Sequence, residues 1–284
     1  MNLRIVRKKI RSITNVKKIT KAMQLVSAVK MKKSQQVALD GKPYRYNLER
    51  IIQLVTAVMK PEESPLLNQS ETNMGKKLII FITSNKGLCG AFNFNLFRFL
   101  LKNFNLKEVD FITVGKKGAA FISNIGGKII ADFSRLPLID HVSPIFQASL
   151  AGFLNKEYQI VYLVYNQFIS SLKFQSVKKT LLPIKKEELC EGEIVKPWIK
   201  DFLIEPKSIQ IIDELLKSYL EEKIRGAILE SEAAEHSARM IAMKNATDNA
   251  QEVINDLTLL RNKVRQTKIT YELLDMVTAK ESIE

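Results

Sequence analysis

The chain has 284 residues, of which 46% are hydrophobic, 26% charged and 8% aromatic, and this composition excludes an intrinsically disordered protein. Lysine and arginine number 44 against 30 aspartate and glutamate, a net charge of +14, and eleven of the cations lie in residues 1–39, which contain no acid. No stretch approaches the ~20 apolar residues of a membrane-spanning helix, so we expect membrane association only through a partner. Cys89 and Cys190 fit neither a disulfide framework nor a zinc site.

The N-terminal segment predicts a long helix. Residues 1–40 contain no proline and no glycine, the residues that interrupt helices most strongly. Side chains that suit a coiled-coil seam recur there at steps of three and four, namely Ile13, Val16, Thr20 and Met23, with Ile10, Ile19 and Val26 beside them. The pattern resumes after Gly41-Lys42-Pro43, so we expect a kinked helix to about Met59 and a first domain over residues 1–59.

The middle of the chain has the pattern of an α/β domain. Short, nearly continuous apolar runs at 78–82, 111–114 and 160–164 are typical of strands buried on both faces. Helical patterns lie between and after these strands, at 94–103, 116–125 and 143–156. This alternation predicts a small, mostly parallel, Rossmann-like sheet in a domain over residues 76–190, with a last strand near 174–184 at an edge.

The C-terminal segment predicts a second long helix over residues 207–284, where Gly226 is the only glycine and proline is absent. Its apolar and small side chains again recur at steps of three and four: Ala250, Val253, Leu257, Leu260, Val264, Thr267, Tyr271 and Leu274. Residues 208–284 carry ten basic and fourteen acidic side chains, which complement the basic N-terminal helix. We therefore expect the two ends of the chain to pair as a long antiparallel coiled coil into which the α/β domain is inserted.

Candidate chemical sites are few. Gly87-Leu88-Cys89-Gly90 follows the first predicted strand, where a nucleotide-binding fold holds a phosphate, but it lacks both the GxGxxG spacing and the Gly-Lys-Ser/Thr ending of a P-loop. A tight structural turn is the preferred interpretation of this segment. His141 and His236 stand in no motif, and Cys89 has no evident base. We expect no catalytic residue, no cofactor and no metal.

Two basic clusters indicate an acidic partner. The N-terminal cluster would also suit nucleic acid, although it has no aromatic residue before Tyr44 on which a base could stack. The second cluster has no acid between Leu257 and Tyr271 and consists of Arg261, Lys263, Arg265 and Lys268. Solvated charge on a coiled coil, an acidic protein partner and nucleic acid all remain open at this point.

Three separate stretches resemble the gamma subunit of F-type ATP synthases. The first, in the N-terminal helix, is Ile19-Thr20-Lys21-Ala22-Met23-Gln24-Leu25-Val26-Ser27-Ala28-Val29-Lys30-Met31. The second, at the first strand and turn, is Thr83-Ser84-Asn85-Lys86-Gly87-Leu88-Cys89-Gly90-Ala91-Phe92-Asn93. The third, in the C-terminal helix, is Ala238-Arg239-Met240-Ile241-Ala242-Met243-Lys244-Asn245-Ala246-Thr247-Asp248-Asn249, continued by Arg265-Gln266-Thr267-Lys268-Ile269-Thr270-Tyr271-Glu272-Leu273-Leu274. The resemblance runs nearly from end to end. It departs at Thr278-Ala279-Lys280, where the family usually has Ser-Gly-Ala, so we expect the tip of the helix to fit its bearing differently.

The resemblance implies a rotor shaft rather than an enzyme. In this family the coiled coil enters a ring of alpha and beta subunits, while the α/β domain and the epsilon subunit grip the membrane ring of c subunits. Contacts with beta are implied for Met23, Arg239, Arg265, Gln266 and Thr270, and a contact with epsilon and the c ring for Glu205. No nucleic acid is expected as a partner. The Lys-rich N-terminus runs directly into the helix and so disfavours a mitochondrial transit peptide, which implies the cytoplasmic face of a bacterial plasma membrane.

Overall fold

A computed structural model describes residues 3–58, 66, 76–135, 137–184 and 208–281. The helices are α1 (Leu3–Asp40), α2 (Lys42–Val58), α3 (Phe92–Asn103), α4 (Lys116–Asn124), α5 (Val142–Leu154) and α6 (Ser208–Glu281). The strands are β1 (Lys76–Ile82), β2 (Val109–Val114), β3 (Lys128–Asp132), β4 (Tyr158–Ser170) and β5 (Lys173–Leu182). Along the described chain, no helix is long and apolar enough to cross a membrane.

The chain packs as two compact units. The coiled-coil unit consists of residues 1–28 and 239–284, and the α/β unit consists of residues 29–238. Helices α1 and α6 therefore contribute residues to both units. The expected domain start at residue 76 coincides with the start of β1, whereas the expected boundaries at 59, 190 and 207 lie outside the described residues.

The N-terminal helical region is interrupted at Gly41, between α1 and α2, where the sequence predicts a kink. Helical hydrogen bonding continues across it, because the Gly41 N–H bonds to the Val37 carbonyl at 3.2 Å and the Arg45 N–H to the Gly41 carbonyl at 3.1 Å. Pro43 is tolerated here because the first turn of a helix leaves its backbone N–H groups without helical partners. The two helices are thus joined by helical hydrogen bonds across one glycine.

The sheet has five strands in the order β3-β2-β1-β4-β5. Strands β1 to β4 pair in parallel, and only β5 runs antiparallel, at the edge beside β4. The apolar runs predicted as strands lie in its centre, where all six residues of β2 are buried. The mostly parallel α/β fold and the edge strand near residues 174–184 are confirmed.

Strand β3 was not predicted. Its five residues alternate between exposed and half-buried positions at the other edge of the sheet, and Ile130 is 46% exposed. So short a strand with one solvated face lacks the continuous apolar run that marks the central strands. It follows Gly126, whose φ of +73° makes the tight turn after α4.

Helices cover both faces of the sheet. Helices α3 and α4 enclose one core, which contains Phe81, Leu96, Phe111 and Ile122. The other core combines the opposite faces of the strands with α2, α5 and the first part of α6, where every fourth residue from Ile212 to Ile228 is fully buried: Ile212, Leu216, Leu220, Ile224 and Ile228. The first part of α6 is thus an integral layer of the α/β unit.

Candidate interaction surfaces and the sheet crevice

The coiled-coil unit is an antiparallel pair of helices joined by polar as well as apolar contacts. The hydroxyls of Thr20 and Thr247 lie 2.8 Å apart, and both side chains are buried. One turn away, the Lys17 ammonium donates to the Gln251 side-chain oxygen. From Thr20 to Lys17 the residue numbers on α1 fall, while those of the partners on α6 rise from Thr247 to Gln251. This confirms the antiparallel pairing expected from the sequence.

The observed seam follows steps of four and three on both helices. On α1, the buried or half-buried positions that follow these steps are Val6, Ile10, Ile13, Lys17, Thr20, Gln24 and Ser27. On α6 they are Met243, Thr247, Ala250, Ile254, Leu257, Arg261 and Val264. The predicted seam residues Ile13, Leu257 and Val264 lie in this seam, and Leu260 is half-buried beside it.

The predicted register was wrong at Val16 and Val253. Val16 is 48% exposed and Val253 is 43% exposed, and the seam positions next to them are taken by Lys17 and Ile254. Lysine occupies a seam position because its four-carbon stem packs against apolar neighbours while its ammonium reaches a polar partner. Counting apolar residue types therefore selected valine where the fold uses lysine.

Val16 belongs instead to a second strip on the outer face of α1. Val16, Ile19 and Val26 are 48%, 59% and 55% exposed, and half-buried Met23 stands between them at the same three-four spacing. Met23, predicted both as a seam residue and as a contact to beta, lies on this strip. Apolar side chains in such a row mark a surface that a protein partner covers.

The end of α6 extends beyond the seam. Each residue from Arg265 to Ala279 is exposed, whereas Val264 is still half-buried. Leu274, predicted as a seam residue, is 53% exposed, so the predicted seam is too long by about three turns. The apolar side chains in this segment are Ile269, Tyr271, Leu273, Leu274, Met276 and Val277.

A basic groove crosses the coiled-coil unit near the start of α1. Arg7, Arg11 and Lys18 of α1 line it together with Arg261 of α6, and no acidic side chain lines it. Three residues of the N-terminal basic cluster and one residue of the second cluster, Arg261, thus line the same groove. It therefore suits a carboxylate-rich partner.

The predicted contact residues differ in exposure. Arg265, Gln266 and Thr270 are exposed on the end of α6, and the Thr270 hydroxyl bonds back to the Gln266 carbonyl at 3.0 Å. Arg239 is only 7% exposed and so presents little surface to a partner. Glu205, predicted to contact epsilon and the c ring, lies outside the described residues.

The crevice at which such sheets commonly bind ligands is closed. Strands β2 and β3 are added on one side of β1 and β4 on the other, so the strand order reverses between the parallel strands β1 and β4. Sheets of this kind commonly bind ligands outside the carboxyl ends of the strands at that point. Here Cys89 and Phe92 pack against Ala234 and Ala238 of α6, and all four are buried. Asn166 of β4 also donates to the Phe92 carbonyl at 2.9 Å.

Several polar groups of the Thr83–Asn93 segment are used within the fold, although the buried Nδ2 atom of Asn85 has no hydrogen-bond partner among the described residues. The Thr83 hydroxyl accepts from the Gly118 N–H at 2.8 Å, and the Asn85 side-chain oxygen accepts from the Lys116 N–H at 2.9 Å. Asn93 donates to the Ser84 hydroxyl at 2.7 Å. Side-chain oxygens of this segment therefore accept from N–H groups in the first turn of α4.

Comparisons with known proteins identify the family. The family model described as ATP synthase matches residues 2–283. A protein of Legionella pneumophila strain Corby named ATP synthase gamma chain is 35% identical over 281 residues, 96% of each chain. Another of that name, from Dehalococcoides mccartyi strain CBDB1, is 38% identical over 285 residues, 97% of each chain. The chain belongs to the ATP synthase gamma-chain family.

Solved structures agree with this gamma-chain fold. A chain from the rotor of the Euglena gracilis mitochondrial ATP synthase matches with a TM-score of 0.66 and 19% identity, over 94% of this chain and 98% of that one. A chain from the central stalk and c-ring structure of the Tetrahymena thermophila enzyme matches with a TM-score of 0.56 and 24% identity, over 80% of this chain and 99% of that one. At these identities the likeness concerns the fold.

Proposed function

We propose that this chain is the central-stalk subunit, the rotor shaft, of a bacterial ATP synthase. It transmits rotation of the membrane c ring to the catalytic beta subunits, and so couples ion transport to ATP synthesis or hydrolysis without performing chemistry itself. Relatives named ATP synthase gamma chain support this role, as do fold matches from a rotor and a central stalk. The filled crevice at β1 and β4 supports a non-catalytic subunit.

The exposed apolar surface of the coiled-coil unit carries the proposal. Leu273, Met276 and Val277 are 53%, 62% and 55% exposed at the end of α6, and the outer strip of α1 adds a second apolar row. An isolated helix end with this much apolar surface is stabilised when a partner encloses it. A ring of alpha and beta subunits supplies such an enclosure.

We infer that the asymmetric surface of the shaft couples its rotation to conformational change in the beta subunits. The two faces of the helical pair differ, because α1 presents an apolar strip flanked by cations and α6 presents a basic groove edge followed by an apolar end. A shaft that contacts three chemically identical beta subunits through different faces stabilises a different conformation in each of them. Rotation then moves each beta subunit through these conformations in turn.

Individual contacts are assigned by exposure. Met23, Arg265, Gln266 and Thr270 stand at accessible or partly accessible positions and are proposed to contact beta. We propose that buried Arg239 positions α6 for this contact without touching beta. Glu205 is proposed to meet epsilon and the c ring, which would hold the subunit at the cytoplasmic face of the plasma membrane as a peripheral protein.

An affinity-tagged chain recovered from detergent-extracted bacterial membranes tests the proposal. We expect alpha, beta, epsilon and c subunits to be recovered with it, and the recovery to survive nuclease treatment. A nucleic-acid-binding coiled coil is the competing function, because residues 1–39 carry eleven cations and no acid. Recovery of nucleic acid with a steep salt dependence, and without alpha and beta subunits, would establish that function instead.

A further inference from the structure

Gly226 stands in the interior of α6, where glycine weakens a helix. It is the only glycine among residues 207–284. A Cβ atom at this position would lie 2.6 Å from Nη1 of Arg45, so the flexible end of the Arg45 side chain would have to leave its present place. The absence of a side chain at Gly226 therefore leaves the space in which the Arg45 guanidinium lies.

Arg45 lies on α2, four residues beyond Gly41. Its Nη2 donates to the Ala38 carbonyl at 2.9 Å, in the last turn of α1. The carbonyl end of a helix carries partial negative charge, so a guanidinium is a favourable partner for it. One side chain therefore joins the end of α1, the start of α2 and the surface of α6.

The same guanidinium acts on a buried cluster between α6 and the sheet. Tyr165 of β4 is 2% exposed, and its hydroxyl donates to a carboxylate oxygen of Glu230 at 3.0 Å. Glu230 lies four residues beyond Gly226 and so on the same face of α6. Burial and the Glu230 charge raise the pKa of Tyr165, and the positive charge of Arg45 opposes this rise.

We propose that Arg45 is a brace that holds the junction of α1 and α2 at Gly41 by packing its guanidinium between the Ala38 carbonyl and Gly226 of α6. If the chain is the rotor subunit, on which this functional part rests, the brace resists bending at this junction under torque. Arg45 is thus a positioning residue, and Gly226 is the space that it requires. Nothing in this role needs Arg45 to touch another subunit.

Thermal unfolding of the full-length chain tests the brace through a double-mutant cycle. In the wild-type background, Gly226→Ala is expected to lower the Tm, because the new methyl group and the guanidinium require the same space. In the Arg45→Ala background the same change is expected to raise the Tm, because alanine favours helix over glycine by a factor of about five in the folding equilibrium. An effect of the same sign in both backgrounds would overturn the proposal.

Arg50→Ala is the matched control, because Arg50 lies on the same helix and is exposed. Gly226→Ala is expected to stay destabilising in that background. Should Arg45→Ala fold poorly, Arg45→Gln serves in its place, since glutamine is too short to reach the same space. A reversal of sign with Arg50→Ala would show that the effect does not depend on the guanidinium of Arg45.

ATP-driven ion pumping by the assembled complex tests the mechanical role. We expect Arg45→Ala to reduce the ions pumped per ATP hydrolysed, and the double variant to stay reduced although its Tm recovers. Pumping that recovers together with the Tm would show that Arg45 only stabilises the fold. If the wild-type chain supports no ATP-driven pumping in the complex, the proposed function fails, while the unfolding cycle still decides whether the brace exists.

Discussion

Glu232 shows how one residue of α6 opposes the stability of the α/β unit. Its carboxyl is partly buried, and burial raises its pKa, as does the neighbouring Glu235, while Lys30 lowers it. A carboxyl whose pKa is raised by folding favours the native state only where it is protonated. The stability that the protonated Glu232 carboxyl contributes is fully present below the pKa that this carboxyl has in the unfolded chain. It is lost as the pH rises through the higher pKa that the carboxyl has in the folded chain.

Glu232→Gln is therefore expected to raise the Tm at pH 7, because the neutral amide removes the cost of a partly buried charge beside Glu235. The gain should shrink as the pH falls and vanish below about pH 4, where glutamate is protonated in both states. Unfolding scans between pH 4 and pH 8 measure it. Glu49→Gln, at an exposed position of α2, should change little. A gain that does not depend on pH would contradict this account of the charge.

At the scale of the element, the pairing of α1 and α6 combines apolar and polar positions. The two hydroxyls of the Thr20–Thr247 pair have one hydrogen each, and three bonds compete for them: the one that joins the pair, and one each to the Lys17 and Met243 carbonyls. At most two of these bonds exist at a time. The pair thus adds little net energy, and most of the pairing stability comes from the apolar positions, Leu257 among them.

Leu257→Asp is expected to destabilise the coiled-coil unit by about 1–3 kcal/mol, because it places a carboxylate in the half-buried seam. The matched control is Leu259→Asp, two residues along the same helix, where the native side chain is 69% exposed and little loss is expected. Circular dichroism during thermal unfolding measures both variants. Equal losses would show that the seam does not follow the register described above.

At the scale of the whole molecule, charge is distributed unevenly. The net charge is +14, yet residues 1–39 hold eleven cations without an acid. Arg7, Arg11, Lys18 and Arg261 concentrate part of this charge on one groove of the coiled-coil unit. Clustered charge of one sign accelerates association with an oppositely charged partner, and salt weakens the effect.

The double variant Arg7→Glu, Arg11→Glu is accordingly expected to slow association with the alpha–beta ring roughly tenfold at low salt, with a smaller difference at high salt. Stopped-flow mixing of the full chain with the ring at two ionic strengths measures it. Lys102→Glu with Lys107→Glu changes the net charge equally at exposed positions of the α/β unit. If this control slows association as much as the Arg7→Glu, Arg11→Glu variant does, the association rate depends on the net charge of the chain and not on the basic groove.

The sequence by itself determined the class of fold and the family. Central strands such as β1 were predictable because a strand buried on both faces forms a nearly continuous apolar run, here at residues 78–82. The helices were predictable because glycine and proline are nearly absent from both ends of the chain and because apolar residues recur at helical spacing. Each of these signals is local, so no knowledge of a distant partner was needed.

Only the tertiary structure decided which side chains meet. Lys17 occupies the seam instead of Val16 because Gln251 receives its ammonium, and that partner lies 234 residues away. Gly226 is explained only by Arg45, which lies on another helix. The side-chain pattern of one helix shows which of its faces is apolar. Whether a long polar side chain is buried or exposed on that face depends on the residues that pack against it from another helix.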